Sequence, residues 1–198
     1  MKRQDRHRAD ANYPRSSLTI NQHRNTLAEK ANGPPLQRAI NNLYICVMGN
    51  REQAYEEAVK QIKGIIDGEP DLIANLSNTV AILKEKFNFW WIGFYLVKND
   101  QLVLGPFQGP VACTRITKGK GVCGTSWQKA ETIVVVDVHQ FPGHIACSAA
   151  SNSEIVVPII KNNSVTMILD VDSVNYSDFN EVDKKYLEEI AVLMAQLS

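Results

Sequence analysis

Residues 89–113 read Phe-Trp-Trp-Ile-Gly-Phe-Tyr-Leu-Val-Lys-Asn-Asp-Gln-Leu-Val-Leu-Gly-Pro-Phe-Gln-Gly-Pro-Val-Ala-Cys. Phe89 to Val97 is a run of aromatic and branched residues with the composition of a β-strand. Asn99-Asp100 supplies a turn, and Leu102 to Phe107 supplies a second strand folding back on the first. Gly105, Pro106, Gly109 and Pro110 then punctuate the exit and lead into Cys113. An antiparallel hairpin that empties into a glycine- and proline-rich loop is therefore the nucleus of the fold.

Upstream of this hairpin the period is helical. Val59, Ile62, Ile65 and Ile66 fall on one face of a helix starting near Glu52 and stopped by Asp67-Gly68-Glu69-Pro70. A second helix, Asp71 to about Phe87, presents Leu72, Leu76, Val80 and Leu83 at helical spacing. Downstream, Gly119-Lys120-Gly121 precedes a short amphipathic helix over about Val122 to Lys129, and Ile133 to Val136 is a strand. A long loop follows, Asp137 to Ser153, with Pro142 and Gly143 inside it. Loops of that length in a compact domain generally carry function. Ile155 to Ile160 and Val165 to Asp172 are two more strands, joined through Lys161-Asn162-Asn163-Ser164. Asn180 reads as an N-cap with Asp183 three residues on, and the closing helix offers Val182, Tyr186, Ile190, Leu193 and Leu197 for burial. Five or six strands joined by tight turns, with helices before, within and after them, predict an α+β domain built on an antiparallel sheet.

Residues 1–50 lack either period and carry Pro14, Pro34 and Pro35 among scattered Arg and His. They read as a disordered N-terminal extension, leaving 51–198 as the folded domain. Asp5 and Asp10 weigh against an Arg-rich transit peptide, so the favoured reading is an extension ahead of a start at Met48. The whole chain of 198 residues has formal charge zero, but residues 1–47 hold eight Lys/Arg against three Asp/Glu. The remainder keeps 13 of the 21 basic and 18 of the 21 acidic residues, a mildly acidic balance that gives no footing for nucleic acid. No apolar run approaches the length of a membrane span, and no secretory leader is visible. The expectation is a soluble, cytoplasmic domain.

Four cysteines punctuate the chain: Cys46 by itself, then Cys113, Cys123 and Cys147. An odd set within a cytoplasmic domain favours catalytic or redox thiols over structural disulfides. The gaps C-x9-C and C-x23-C are wide for a zinc knuckle, so a Cys3His site completed by His139 or His144 is disfavoured, and no metal is expected. A lone cysteine is often just a small buried hydrophobe, but three in glycine-rich surroundings shift the balance to chemistry. Cys123 stands at a helix start, where the dipole and free amides favour thiolate. Cys147 lies in the long loop among Ala146, Ser148, Ala149 and Ala150, a setting that predicts access for a substrate. On these grounds alone the two are tied as nucleophile.

Asp170 and Asp172 are two apart on a strand and so share a face. A tight hairpin register between the last two strands would bring Glu154 beside Asp172. Three converging carboxylates suit a cationic group such as an amine, or hold one of their number protonated as an acid. Trp90 and Trp91 should point to opposite faces, with Trp91, Gly93 and Tyr95 on one side as a wall for a small apolar pocket or as plain core.

Taken together these stretches resemble a known family. Trp91-Ile-Gly-Phe-Tyr95, Leu-Gly-Pro-Phe-Gln-Gly-Pro-Val-Ala-Cys113, Gly-Lys-Gly-Val-Cys123-Gly-Thr, Asp137-Val-His-Gln-Phe-Pro-Gly-His-Ile-Ala-Cys147 and Ser153-Glu-Ile-Val-Val-Pro158 are similar to the GAF-domain free methionine-(R)-sulfoxide reductases. The resemblance runs from about residue 52 to the C-terminus. It implies a GAF fold with a closed small-molecule cavity, and reduction of free methionine-(R)-sulfoxide without a cofactor. It implies Cys147 as the nucleophile, against the helix-dipole argument for Cys123. It further implies Cys113 as the resolving thiol with Cys123 as partner or relay, and thioredoxin or a similar dithiol as reductant. Trp91 and Tyr95 would line the methyl sulfoxide end, while Glu154, Asp170 and Asp172 would recognise the substrate and assist protonation. A homodimer is compatible with the resemblance. One departure is Met167, where the family commonly has glycine; it is expected on the face opposite Asp170 and Asp172, altering packing rather than activity. The competing reading is a non-catalytic GAF sensor for a small ligand, which needs none of the three cysteines at these spacings.

Overall fold

A computed structural model of the chain describes residues 35–143 and 150–197, with side chains from Gly49 onward. Helix α1 spans Pro35–Ile66, α2 Leu72–Phe87, α3 Gly121–Lys129 and α4 Glu181–Leu197. The strands are β1 Trp91–Lys98, β2 Gln101–Gln108, β3 Arg115–Thr117, β4 Ile133–Val135, β5 Ser153–Lys161 and β6 Ser164–Ser173, with a 3-10 turn over Val138–Gln140. The six strands form one sheet in the order β3-β2-β1-β6-β5-β4, and every neighbouring pair is antiparallel. The expected α+β architecture holds, at the upper end of the expected strand count.

Two turns pin the register. Asn99 and Asp100 between β1 and β2, and Asn162 and Asn163 between β5 and β6, all have positive φ, from 50° to 61°. That left-handed pair matches the strand twist in a two-residue hairpin, and Asn and Asp tolerate it best after glycine. Because side chains alternate, register decides which residues meet on each face.

On one face Ile92, Phe94, Leu96, Ile155, Val157, Ile159, Met167, Leu169 and Val171 pack under α2 and α4. Met167 is buried there, on the face opposite Asp170 and Asp172 as expected. Tyr55, Val59 and Ile62 join this core from α1, whereas Ile65 is exposed. The helix also begins at Pro35, ahead of the expected start near Glu52; proline is well placed at a first helical position because its missing N–H has no partner to lose. Asp71 caps α2 by accepting from the Ala74 amide at 2.8 Å. At α4 Asn180 Oδ1 accepts from Val182 N at 2.8 Å, and Asp183 Oδ2 returns to Asn180 N at 2.9 Å. The other oxygen of the buried Asp183 takes Arg51 Nε and the Tyr55 hydroxyl, each at 2.7 Å, so the last helix is tied to the first.

The opposite face carries Trp91, Tyr95, Val156 and Ile168 and is covered by α3 and the chain around residue 113. Trp90 stands ahead of the strand and packs partly buried against this same cluster, not on the helix-covered face. Strand alternation does not reach it, since pairing starts at Trp91. No helix among the described residues is long and apolar enough to cross a membrane.

Candidate active site

The second face of the sheet closes over a cavity of about 550 Å³, counted out to the solvent at its mouth. Three strands build its floor in register. Trp91 on β1 pairs with Asp172 on β6, and Asp172 pairs with Glu154 on β5. One row along, Gly93 pairs with Asp170, and Asp170 with Val156. The expected meeting of Glu154 with Asp172 is therefore a direct cross-strand pair: the Asn162-Asn163 turn starts the hairpin at Lys161–Ser164, and an irregularity at Ile159/Ile160 shifts the register by one residue to bring Glu154 opposite Asp172 rather than Val171.

Gly93 is where the aromatic wall depends on a missing side chain. A Cβ there would stand 2.5 Å from Trp91 Cη2 and 2.5 Å from Phe107 Cβ. The indole lies over the glycine, stacked 5.5 Å from the Phe107 ring and 6.0 Å from the Tyr95 ring. Its Nε1 donates to the Pro110 carbonyl at 3.1 Å, and the Tyr95 hydroxyl donates to the Cys113 carbonyl at 3.0 Å. The segment 110–113 is thus strapped to β1, and Val111 and Ala112 from it line the cavity.

Cys113 is disulfide-bonded, whereas Cys123 is a free thiol buried in α3. Cys123 Sγ lies 3.9 Å from Glu154 Oε1. Burial and the neighbouring Asp170 and Glu154 carboxylates push its thiol well up from the ordinary cysteine value. Desolvation and the two acids within reach oppose the pull toward thiolate that a helix start exerts on Cys123. Cys147 and His144 lie outside the described residues. His139 sits on the exterior, 3.2 Å from Asn152 Oδ1, and is not among the described residues lining the cavity.

The three acids behave as a group. Burial, then repulsion from Asp170 and Asp172, pushes the Glu154 carboxyl well above the usual range. Asp172 shifts the same way through burial and Asp170, with a bond to the Ser151 hydroxyl opposing. Asp170 is pushed up to about 6, chiefly by burial, with its contacts to Cys123 and Glu154 opposing. Its Oδ1 is buried without a hydrogen-bond partner among the described residues. The floor can therefore offer a proton, or receive a cation in place of one. Cys123, Glu154 and Asp170 could also hold a metal, since their ligand atoms all lie within 4.8 Å of one another.

All the expected carboxylates and aromatics, together with Cys123, line this one cavity. Ser151 and Lys120 line it too and were not singled out from sequence. Gly119-Lys120-Gly121 was the available signal for Lys120, a cation held at a helix entrance between two glycines. Ser151 had none, because its bond to Asp172 spans distant parts of the chain.

A GAF domain profile matches residues 71–197. A free methionine-R-sulfoxide reductase of Escherichia coli is 44% identical over 75% of this chain and 88% of its own length. The corresponding enzyme of Saccharomyces cerevisiae is 42% identical over 73% and 86%. The chain belongs to the GAF-domain family of free methionine-R-sulfoxide reductases. Among solved structures, that of the Neisseria meningitidis free methionine-R-sulfoxide reductase in complex with its substrate superposes with a TM-score of 0.73. It is 48% identical and covers 74% of this chain and 89% of that one.

Proposed function

We propose that this GAF domain reduces free methionine-(R)-sulfoxide to methionine by a thiol, sulfenic acid and disulfide cycle. The observation that carries the reading is the row Trp91–Asp172–Glu154, an aromatic wall running straight into paired acids beside the disulfide-bonded Cys113. Such a cavity has a soft apolar end for a methyl sulfoxide and an acidic end for an ammonium.

In the first step the Cys147 thiol attacks the sulfoxide sulfur while a protonated floor carboxyl supplies the sulfoxide oxygen with a proton. The oxygen passes to Cys147 as a sulfenic acid, and methionine leaves with the sulfur reduced. Cys113 then condenses with the sulfenic acid, releasing water and forming a disulfide. A dithiol such as thioredoxin takes over that disulfide and restores both thiols. The free Cys123 in a structure whose Cys113 is already bonded supports Cys113 over Cys123 as the resolving thiol. Cys123, held neutral against the acids, serves as a polar part of the cavity wall and a reserve thiol. We assign the activity to residues 51–198 and place it in the cytoplasm, where a dithiol reductant is at hand.

The test is a thioredoxin-coupled assay following NADPH oxidation with each diastereomer of methionine sulfoxide. Turnover of the (R) form and loss of all methionine release in Cys147→Ser are expected. Ligand binding without turnover, with full reducing system present, would favour the non-catalytic sensor.

A further inference from the structure

We propose that Cys123, Glu154 and Asp170 form a binding site for a thiophilic divalent cation, with Zn²⁺ the ion of best fit. The three come from rigid elements: Cys123 from α3, Glu154 from β5 and Asp170 from the adjoining β6. Their exposures are only 4%, 5% and 7%, so these ligands are held by packing rather than waving in solvent. One thiol sulfur and one oxygen from each acid lie within 4.8 Å of one another.

The spacing suits a small ion. Zn–S and Zn–O bonds of about 2.3 and 2.0 Å at a tetrahedral angle put sulfur and oxygen about 3.5 Å apart. Cys123 Sγ and Glu154 Oε1 are 3.9 Å apart, so a few tenths of an ångström of closure completes the pair. A second, independent sign is Asp170 Oδ1, which is buried in the same place with no hydrogen-bond partner among the described residues. A buried acceptor left unpaired costs free energy that a bound cation would recover. The half-buried Asp172 and water from the mouth are at hand for a fourth position. The donor set of one sulfur and two oxygens selects a borderline-soft ion over Mg²⁺ or Ca²⁺, which take all-oxygen shells of six or more. If the reductase reading is right, on which this consequence rests, an ion here occupies the acidic end of the cavity and excludes the substrate.

The probe is Co²⁺, titrated into the full chain with Cys46, Cys113 and Cys147 changed to serine so that Cys123 is the one thiol left. The expected result is one equivalent bound, with a sulfur-to-cobalt charge-transfer band and tetrahedral d–d bands. Zn²⁺ should abolish both bands, whereas excess Mg²⁺ should leave them. Asp170→Asn in that background, an almost isosteric change, should weaken Co²⁺ binding at least tenfold. Absence of the charge-transfer band, or an affinity indifferent to Asp170→Asn, would overturn the proposal. Absorption reads the site without turnover, so its failure is distinct from a failure of the reductase reading.

Discussion

The Tyr95 hydroxyl donates to the main-chain carbonyl of Cys113 at 3.0 Å, joining an aromatic of the cavity wall to the backbone of the disulfide-bonded cysteine. Burial and the surrounding acids hold the phenol far above its ordinary value, so it remains a donor at any working pH. The bond fixes the backbone that carries the Cys113 sulfur, which under the proposed cycle acts after the sulfoxide chemistry. Tyr95→Phe keeps the ring and removes the strap. We expect single-turnover methionine release to be nearly unchanged and disulfide formation to slow about fivefold, in line with a net loss of about 1 kcal/mol. Quenched-flow measurement of both steps checks this; equal slowing of the two would place Tyr95 in substrate binding alone.

Gly93→Ala should disable the wall. The added methyl would stand 2.5 Å from both the buried Trp91 Cη2 and Phe107 Cβ, and a Cβ fixed to the neighbouring strand cannot swing aside. Overpacking of this kind costs about 1–3 kcal/mol, and here it also tilts the indole that lines the cavity. Urea unfolding and KM should both report it. The contrast is Gly64→Ala on α1, where nothing lies within 4 Å and a helix gains up to about 1 kcal/mol from the change.

The acid cluster predicts how stability depends on pH. Asp170 titrates near 6 in the folded chain, chiefly because it is buried, and near 3.9 when unfolded. Between those values the native state holds the extra proton, so stability falls as pH rises from about 4 to about 6 and this contribution is flat beyond. Glu154 and Asp172 are shifted in the same direction and extend the fall upward. Asp170→Asn should therefore stabilise the chain at pH 8 but hardly at pH 4. Denaturant midpoints of both proteins at the two pH values decide it: parallel curves would mean that burial of the carboxylate carries no cost.

The parts of this site that were legible beforehand are those set by local rules. Asn162-Asn163 marked a two-residue turn that brought the ends of β5 and β6 together, but the turn alone would pair Glu154 with Val171; the one-residue shift at Ile159/Ile160, invisible to local rules, put it opposite Asp172. The face shared by Trp91 and Tyr95 followed from strand alternation. The tie between Cys123 and Cys147 could not be broken locally, because the helix position of Cys123 is a local fact while the two acids that oppose its ionisation arrive from strands about 30 and 47 residues later in the sequence. Trp90 was misplaced because alternation applies only once pairing begins. Ser151 was invisible because its partner, Asp172, reaches it only through the folded sheet.

Substrate size tests the whole arrangement. Free methionine sulfoxide carries an ammonium that can replace the missing protons of the acid cluster, and under the proposed reading its methyl would face Trp91. An acylated nitrogen is neutral and bulkier, and would leave the buried Glu154 and the half-buried Asp172 unpaired or force them to stay protonated. Good turnover is expected for the free (R) sulfoxide, with weak or no turnover of the (S) form and of N-acetyl or peptide sulfoxides. Glu154→Ala or Asp172→Ala should lower kcat/KM for the free substrate by roughly 100-fold, about 3 kcal/mol of charge-assisted contact. The same changes should matter far less for any residual N-acetyl activity, because that substrate has no ammonium to lose. Equal kcat/KM for free and N-acetylated sulfoxide would remove the acids from ammonium recognition, leaving the cluster only its role as proton donor.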